Sequence, residues 1–587
     1  MLDPRIYRAA FLPVIFALVL VGFSLRDQPP GATTTLAPDA FDGEVALTQL
    51  DALAAAAPNR EPGSPGDRLV AERVREGLEG IGFRVRTRRF GAATVDGTRQ
   101  VASVYGERTG FSSERVLVVA QRDAVGSGAR AQLSGTAALL ELARVVGSRT
   151  LNRTLVLASI SGGPAAARDL AEHLGGPVDA VVVLGDLAGD ETVRPLVVPW
   201  GDGPRTAPLE LRRTVETALS AEAGLAAGRA QPATQFARLA FPLTLGLQGP
   251  FVGDGIPAVL LSASGERPPA ADQEVSEERL ERFGRAVLRT MSALDGARSM
   301  PEAEGYVLLE RKLLPAWPIR LLGAVLLLPV LIATIDGFAR VRRRQEPVGR
   351  WLRWVALCAL PFVLGVLLVV ALKLTGLIGA APPGPVAADA IPLEGGGLAA
   401  LAAVVVVIAL AWFLLRPYLG RVVGAPRDPS TPGAAAAVMI VLCAAAVVVW
   451  IANPWTALLL VPALHLWLLA IAPETRLHPL AALALFLVGL VPPLLIAISY
   501  LGQFDVGPLE LAWTGLLLVA GGGISLPAAL GWAVVLGCAG AVLAIGIRQA
   551  LGEPPLSGGP GAPPSVRGPR TYAGPGSLGG TESALRR

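Results

Sequence analysis

Lysine is almost missing from this sequence: of 51 basic residues, only Lys312 and Lys373 are not arginine. Histidine is as scarce, with His173, His465 and His478, and the 3 cysteines are Cys358, Cys443 and Cys538. The cysteines lie far apart inside strongly apolar segments, so no disulfide framework can be drawn and the redox compartment is not legible from them. The arginines are scattered or stand beside apolar runs rather than forming one basic face, which leaves a nucleic-acid partner without support. No Gly-x-Ser-x-Gly elbow is present, so a serine nucleophile of that type is excluded.

What the chain has in abundance is apolar residues. Of its 587 residues, 52% are hydrophobic, and the mean hydropathy is +0.53. That is too apolar for a wholly soluble protein and too long for one ordinary domain. A bilayer core needs about 20 apolar residues per helix. Ala9–Leu25, preceded by Arg5 and Arg8, is the first such run, and it reads as a signal anchor because SLRDQPPGAT offers no small-x-small cleavage site directly after it. Further runs near 318–338, 355–376, 397–415, 433–452, 455–472, 479–501, 509–523 and 527–547 make eight more. The expected organisation is an N-terminal anchor and linker at 1–40, an exported domain at 41–297, a linker at 298–317, an all-α membrane domain at 318–548 and a disordered Gly/Pro-rich tail at 549–587.

Arginine placement predicts orientation, because basic residues in short loops stay cytoplasmic. Arg340, Arg342, Arg343, Arg344, Arg350 and Arg353 crowd one loop, the next (381–396) holds only Asp389 and Glu394, and the one after holds Arg416, Arg421 and Arg427. The 41–297 domain is thereby placed on the non-cytoplasmic side of the cell membrane. Nine spans would leave the tail, with Arg548, Arg567, Arg570, Arg586 and Arg587, outside as well, unless the Gly521–Gly523 region is re-entrant. Ionisable residues within the spans are few, which argues against an ion relay or a transporter; His465 reads as a satisfied histidine at a helix interface. Lys373 and Asp336 stand near span ends, where they can snorkel to the headgroups, and Pro492–Pro493 predict a kink.

Between 41 and 297, short β-branched runs alternate with amphipathic helical patterns. Strands are expected at 115–120, 154–159, 180–185 and 258–262, and helices at 66–80, 135–146, 165–174 and 277–294. Strand–helix alternation with near-continuous Val and Leu strands predicts an α/β three-layer sandwich around a mostly parallel sheet.

The segment RVLVVAQRDAVGSGARAQLSGTAALLELARVV, residues 115–146, resembles the core of the two-zinc aminopeptidases, the family that includes the transferrin-receptor ectodomain. In that family a strand ending in His-x-Asp is followed by a Gly-Ala-Asp-Asp-Asn-Ala-Ser-Gly loop and a helix. The resemblance, which spans about 45–295, implies that Gln121 stands at the first His ligand, that Asp123 keeps the carboxylate, and that Ala131 replaces the bridging Asp. Ser134 and Gly135 are kept. In SISGGPAAARDL the Glu–Glu pair is replaced by Gly163 and Pro164, Asp186 in VVVLGDLAGD matches a further ligand, and no histidine follows the Gly255-Ile256-Pro257-Ala258 strand. The domain contains His173 as its single histidine and no cysteine, so paired imidazole ligands cannot be assembled. His173 reads as a solvated residue near a helix end, and Ser161 as a turn residue. A carboxylate-only site from Asp123, Asp186, Asp190 and Asp254 would suit a hard cation such as calcium.

The arrangement of one span, an aminopeptidase-like domain and many spans is similar to the peptidase-like membrane subunit of the GPI-anchor transamidase and, more distantly, to membrane-bound endoplasmic-reticulum metallopeptidases. The expectation is a pseudo-peptidase without a cofactor. Its cleft, at the carboxyl ends of the parallel strands, is lined by Gln121, Asp123, Gln132, Ser134 and Asp186 and binds a peptide, a protein partner or a lipid-linked substrate. Membrane lipid is a further partner. The alternative is a membrane-bound hydrolase or amide transferase of altered metal use, centred on Asp123 and Asp186.

Overall fold

The computed structural model describes residues 4–551 apart from 125–128, 174, 427–428, 430, 473 and 476. Arg427 and the tail beyond 551, with Arg567, Arg570, Arg586 and Arg587, lie outside the described residues. In chain order the strands are β1 (Arg26–Asp27), β2 (Arg84–Thr94), β3 (Gly97–Arg108), β4 (Ser112–Gln121), β5 (Arg153–Ile160), β6 (Val178–Leu184), β7 (Val197–Val198), β8 (Ala258–Leu261), β9 (Tyr306–Leu308) and β10 (Lys312–Pro315).

Among the described residues, β2 to β8 form one sheet in the order β2-β3-β5-β4-β6-β8-β7. The run β5-β4-β6-β8 is parallel, whereas β2–β3, β3–β5 and β7–β8 are antiparallel. The sheet is therefore mixed rather than mostly parallel. The reason lies in the connections: β2 and β3 are joined by the tight turn at Val95–Asp96, which permits only an antiparallel pair. Every residue of β5 is buried, as expected of a strand covered on both faces. At the sheet edge, β2 instead carries Arg84, Arg86, Arg88 and Arg89, charges that discourage pairing with another chain.

The helices begin where capping chemistry says they should. Asp42 accepts the Glu44 and Val45 N–H groups at the start of Gly43–Ala56. Ser64 accepts Asp67 N–H, with Pro65 at the first helical position of Pro65–Gly80. Ser276 opens Glu277–Gly296 by accepting Arg279 N–H. Helix Ser134–Val146 connects β4 to β5, and Gly135 allows it to approach the end of β6: a Cβ there would lie 2.8 Å from the carbonyl oxygens of Leu184 and Gly185.

The segments expected as linkers contain structure. β1 pairs with β10 and β10 with β9, both antiparallel, so residues just after the first helix are stitched to residues just before the next long apolar one. Seven helices among the described residues are long and apolar enough to cross a membrane, or eight if the bent pair Pro479–Gly489 and Val491–Phe504 is one span. The nine expected spans are reduced because Pro508–Gly521, matching the run at 509–523, has only 14 residues. The bent pair turns by 44° at the break before Pro492–Pro493, where the missing N–H groups and ring clashes interrupt the helix. His465 sits at a helix interface, 3.0 Å from the Leu326 carbonyl oxygen and 3.4 Å from the Tyr7 hydroxyl. Asp336 pairs with Arg340 one turn later.

The sheet domain is seated on the helices through Pro232–Ala240. A helix end leaves carbonyls without intrahelical partners. Here Asn453 Nδ2 donates to the oxygens of Leu239 at 2.8 Å and Ala240 at 3.2 Å, the Thr456 hydroxyl donates to Ala240, and Tyr500 donates to Phe241. The Arg238 guanidinium pairs with Glu266 at 2.6 Å and lies 5.4 Å from the ring centres of Tyr500 and Phe504.

Candidate functional site

A cleft of about 300 Å³ opens where β4, β5, β6 and β8 end. Parallel strands bring their carboxyl ends to one edge, so the residues that follow them converge there. Gln121 comes from the end of β4, Gly162 and Gly163 follow β5, Asp186 follows β6 and Ser262 follows β8; Asp123 and Gln132 complete the floor. Four of the five site residues expected from sequence therefore line the cleft. Ser134 does not. Its hydroxyl donates to Ala131 O and accepts Leu187 N–H at 2.8 Å, so it fastens the helix start to the loop after β6.

Asp186 lines the cleft but is occupied by its own turn. Its Oδ1 accepts the N–H groups of Ala188 at 3.0 Å and Gly189 at 2.7 Å, and its Oδ2 accepts the Ser264 hydroxyl at 2.6 Å. This is the local hydrogen bonding by which aspartate shapes loops.

Asp123 differs. It is buried, and its Oδ1 has no hydrogen-bond partner among the described residues. Burial, followed by the nearby Asp67 carboxylate, pushes its pKa up to about 7, against a partly offsetting hydrogen bond with the Gly162 backbone. Gln132 Nε2 donates to the Asp123 carbonyl at 3.1 Å and holds the floor from the other side.

Beneath the floor lies a charged network that pattern reading did not find. Arg122 Nε is 2.8 Å from Asp67 Oδ1, both side chains being essentially without exposure. Arg122 Nη1 donates to Ser159 O at 2.8 Å, while Asp67 Oδ2 accepts the Ser161 hydroxyl and Gly63 N–H, each at 2.9 Å. Ser161, expected as a turn residue, is thus part of this network. Arg60, also buried, donates to the carbonyls of Ala57 at 2.9 Å and Ala129 at 3.1 Å, and burial lowers its pKa. A buried ion pair holds when its remaining groups find partners: here the Ser159 carbonyl accepts from Arg122, and the Ser161 hydroxyl and Gly63 N–H donate to Asp67 Oδ2. The one available signal was the run Gln121-Arg122-Asp123, whose middle residue points beneath the sheet; its partner Asp67 is 55 positions away.

The remaining candidates are elsewhere. Asp190 and Asp254 do not line the cleft, so the four carboxylates considered for a hard cation are not brought together. His173 lies 2.8 Å from the Asp169 carbonyl and 2.8 Å from Arg88 Nη2. Among the described residues, no group of three or more His, Cys, Asp or Glu is placed to hold a metal. The zinc that the sequence resemblance implies does not fit this donor set: four matched positions carry an amide, a methyl group, a glycine and a proline, Asp186 has both oxygens engaged, Asp123 alone keeps a carboxylate oxygen to offer, and among the described residues no imidazole or thiolate lines the cleft.

No protein-family model and no curated protein matches the sequence. Among solved structures, the chain is similar to a leucine aminopeptidase precursor from Bacteroides thetaiotaomicron, at 14% identity over 44% of this chain and 98% of that one, with a TM-score of 0.35. It is similar to a glutaminyl cyclase from an Acidobacteriales bacterium at 16% identity over 46% and 99%, with a TM-score of 0.36. A zinc aminopeptidase from Bacillus subtilis gives 12% identity over 45% and 95%, with a TM-score of 0.35.

Proposed function

We propose that this chain is an integral membrane binding protein with a peptidase-like domain on the non-cytoplasmic side. In this reading its cleft holds a peptide, a protein partner or a lipid-linked substrate, and its apolar helices fix that domain to the membrane and serve as a scaffold. The observation that carries the reading is a cleft at the strand ends whose floor offers the Gln121 amide and the buried carboxyls of Asp123 and Asp186, the latter engaged by its own turn, where the resembling family has zinc ligands. Binding without turnover is what such a floor supports, since among the described residues it lacks the imidazoles and the carboxylate cluster that hold a catalytic zinc.

The test is elemental analysis of the purified full chain, dialysed with and without added zinc, beside a peptide-hydrolysis assay. Protein that holds no stoichiometric zinc and cleaves nothing fits the proposal. Near-stoichiometric zinc with hydrolysis lost on chelation overturns it.

A second reading, an active hydrolase or amide transferase of changed chemistry, is favoured by Asp123 alone. A carboxyl with a pKa near 7 and a free oxygen is poised for general acid–base work. That reading requires Asp123→Asn to abolish a measured activity in a chain that still folds.

A further inference from the structure

The cleft has a roof, and the roof belongs to the other half of the molecule. Pro382, Gly384, Pro385, Val386, Ala387 and Asp389, all from the segment between the long apolar helices Val348–Leu374 and Gly395–Leu410, line the same cavity as Gln121 and Asp123. The segment is held from both sides. On the sheet-domain side, Arg168 Nη1 donates to Pro383 O at 3.5 Å, and Ala380 lies within 4.0 Å of where a Cβ on Gly97 would stand. On the helical side it rests on Pro508–Gly521: Trp513 Nε1 donates to Ile391 O at 3.2 Å, and Ile378, Ala381, Ile391 and Leu393 pack around Trp513, Leu516, Leu517 and Ala520.

The glycines at the end of that short helix are what admit the segment. A Cβ on Gly521 would stand 2.3 Å from Pro382 O, and one on Gly523 would stand 3.1 Å from Gly384 N. The prolines at 382, 383 and 385 restrict the segment's own backbone, so holding it over the cleft loses less conformational entropy than holding an ordinary loop would.

We propose that residues 381–391 are a lid and a second binding wall for the cleft, so that a ligand is enclosed between the sheet-domain floor and a strap anchored to apolar helices at both ends. This rests on the proposed function only in taking the cleft as the binding place. Anything bound there touches both halves of the chain, and movement of Val348–Leu374 relative to Pro508–Gly521 is transmitted to the roof through the strap.

The experiment needs no ligand. In the full-length protein, Gln132→Cys puts one thiol on the floor, while the natural cysteines are buried and Glu76→Cys supplies a reference thiol on an exposed helix face. The rate of modification by a bulky, membrane-impermeant maleimide is read at each. The lid predicts that Gln132→Cys reacts at least tenfold more slowly than Glu76→Cys. Gly521→Ala, which pushes Pro382 out of its seat, and Arg168→Ala, which releases Pro383 from the opposite side, each raise the rate at position 132 severalfold and leave the rate at position 76 unchanged. The two variants act from different sides, so a folding failure of one leaves the other to decide. Fast modification at position 132 in the parent, or no change in a folded variant, overturns the proposal. Neither outcome depends on zinc content or hydrolysis, so the lid and the proposed function fail separately.

Discussion

Asp123→Asn is the perturbation whose effect is best determined by the structure. The wild-type carboxyl holds its proton up to a pKa of about 7 when folded, against an ordinary value of 3.8 when exposed. A raised folded pKa means that the folded state binds the proton more tightly than the unfolded one. The associated stability is therefore fully present below about pH 4, falls as pH rises between the two values, and is flat above about pH 7. At about 1.4 kcal/mol per pKa unit, the loss across that window is on the order of 4 kcal/mol. Asparagine has the shape of the protonated form and cannot ionise, so the variant lacks this slope.

The assay is the thermal midpoint of the full chain in detergent, read at intervals from pH 4 to pH 8.5 for both proteins. A domain of this size shifts by roughly 2–4 °C per kcal/mol, so the variant should match the wild type near pH 4 and melt on the order of 10 °C higher at pH 8. Parallel pH profiles for the two proteins would refute the reasoning, because they would mean that Asp123 is already ionised and solvated in the folded state.

Arg122→Met leaves Asp67 buried without its cation and should cost about 3–5 kcal/mol; in a double-mutant cycle, Asp67→Asn should recover part of that loss, and simple additivity in denaturant melts would contradict the pairing. Gly135→Ala puts a methyl group 2.8 Å from two carbonyl oxygens and should destabilise the domain by about 1–3 kcal/mol, visible as a lower thermal midpoint. Asn453→Asp keeps the acceptor that caps Trp455 and Thr456 N–H but removes the donor to Leu239 and Ala240. It should therefore speed amide exchange in 232–240 while leaving the sheet's protection unchanged. Arg267→Ala removes an ion pair with the exposed Asp505 and should change stability by less than about 1 kcal/mol.

Much of the sheet domain could be read from periodicity, because its elements obey local rules. The expected helix at 66–80 is Pro65–Gly80, and that at 277–294 is Glu277–Gly296. Both show an apolar stripe at helical spacing behind a serine cap. Strands β4, β5, β6 and β8 were legible as continuous apolar runs because both of their faces are covered. β9 and β10 were not legible, being three and four residues long and defined by pairing with each other and, for β10, with the distant β1. Apolar character alone could not separate a helix long enough to cross from Pro508–Gly521, which has 14 residues and packs against Ile378, Ala381, Ile391 and Leu393. At the site, Gln121, Asp123, Gln132 and Asp186 came from one motif and its strand ends. Arg60, Asp67 and the 381–391 roof came from segments whose relation to the cleft exists only after folding. Ser134 was misplaced because motif matching gives a residue's position in a loop, not the direction of its hydroxyl.

The pairing of Arg26 with Leu313 and Asp27 with Lys312 makes the sheet domain an insertion with a single doorway. The polypeptide leaves the helix Pro4–Phe23 and returns to the helix Ala316–Arg343 at the same place, and these two helices pack against each other. Everything between is, in topological terms, a pendant on a closed ring. The register places Asp27 directly opposite Lys312, so a short turn would be enough to join the two strands in its absence. The tie between the two halves is then set by the seat at Pro232–Ala240 and the strap at 381–391, rather than by the covalent chain.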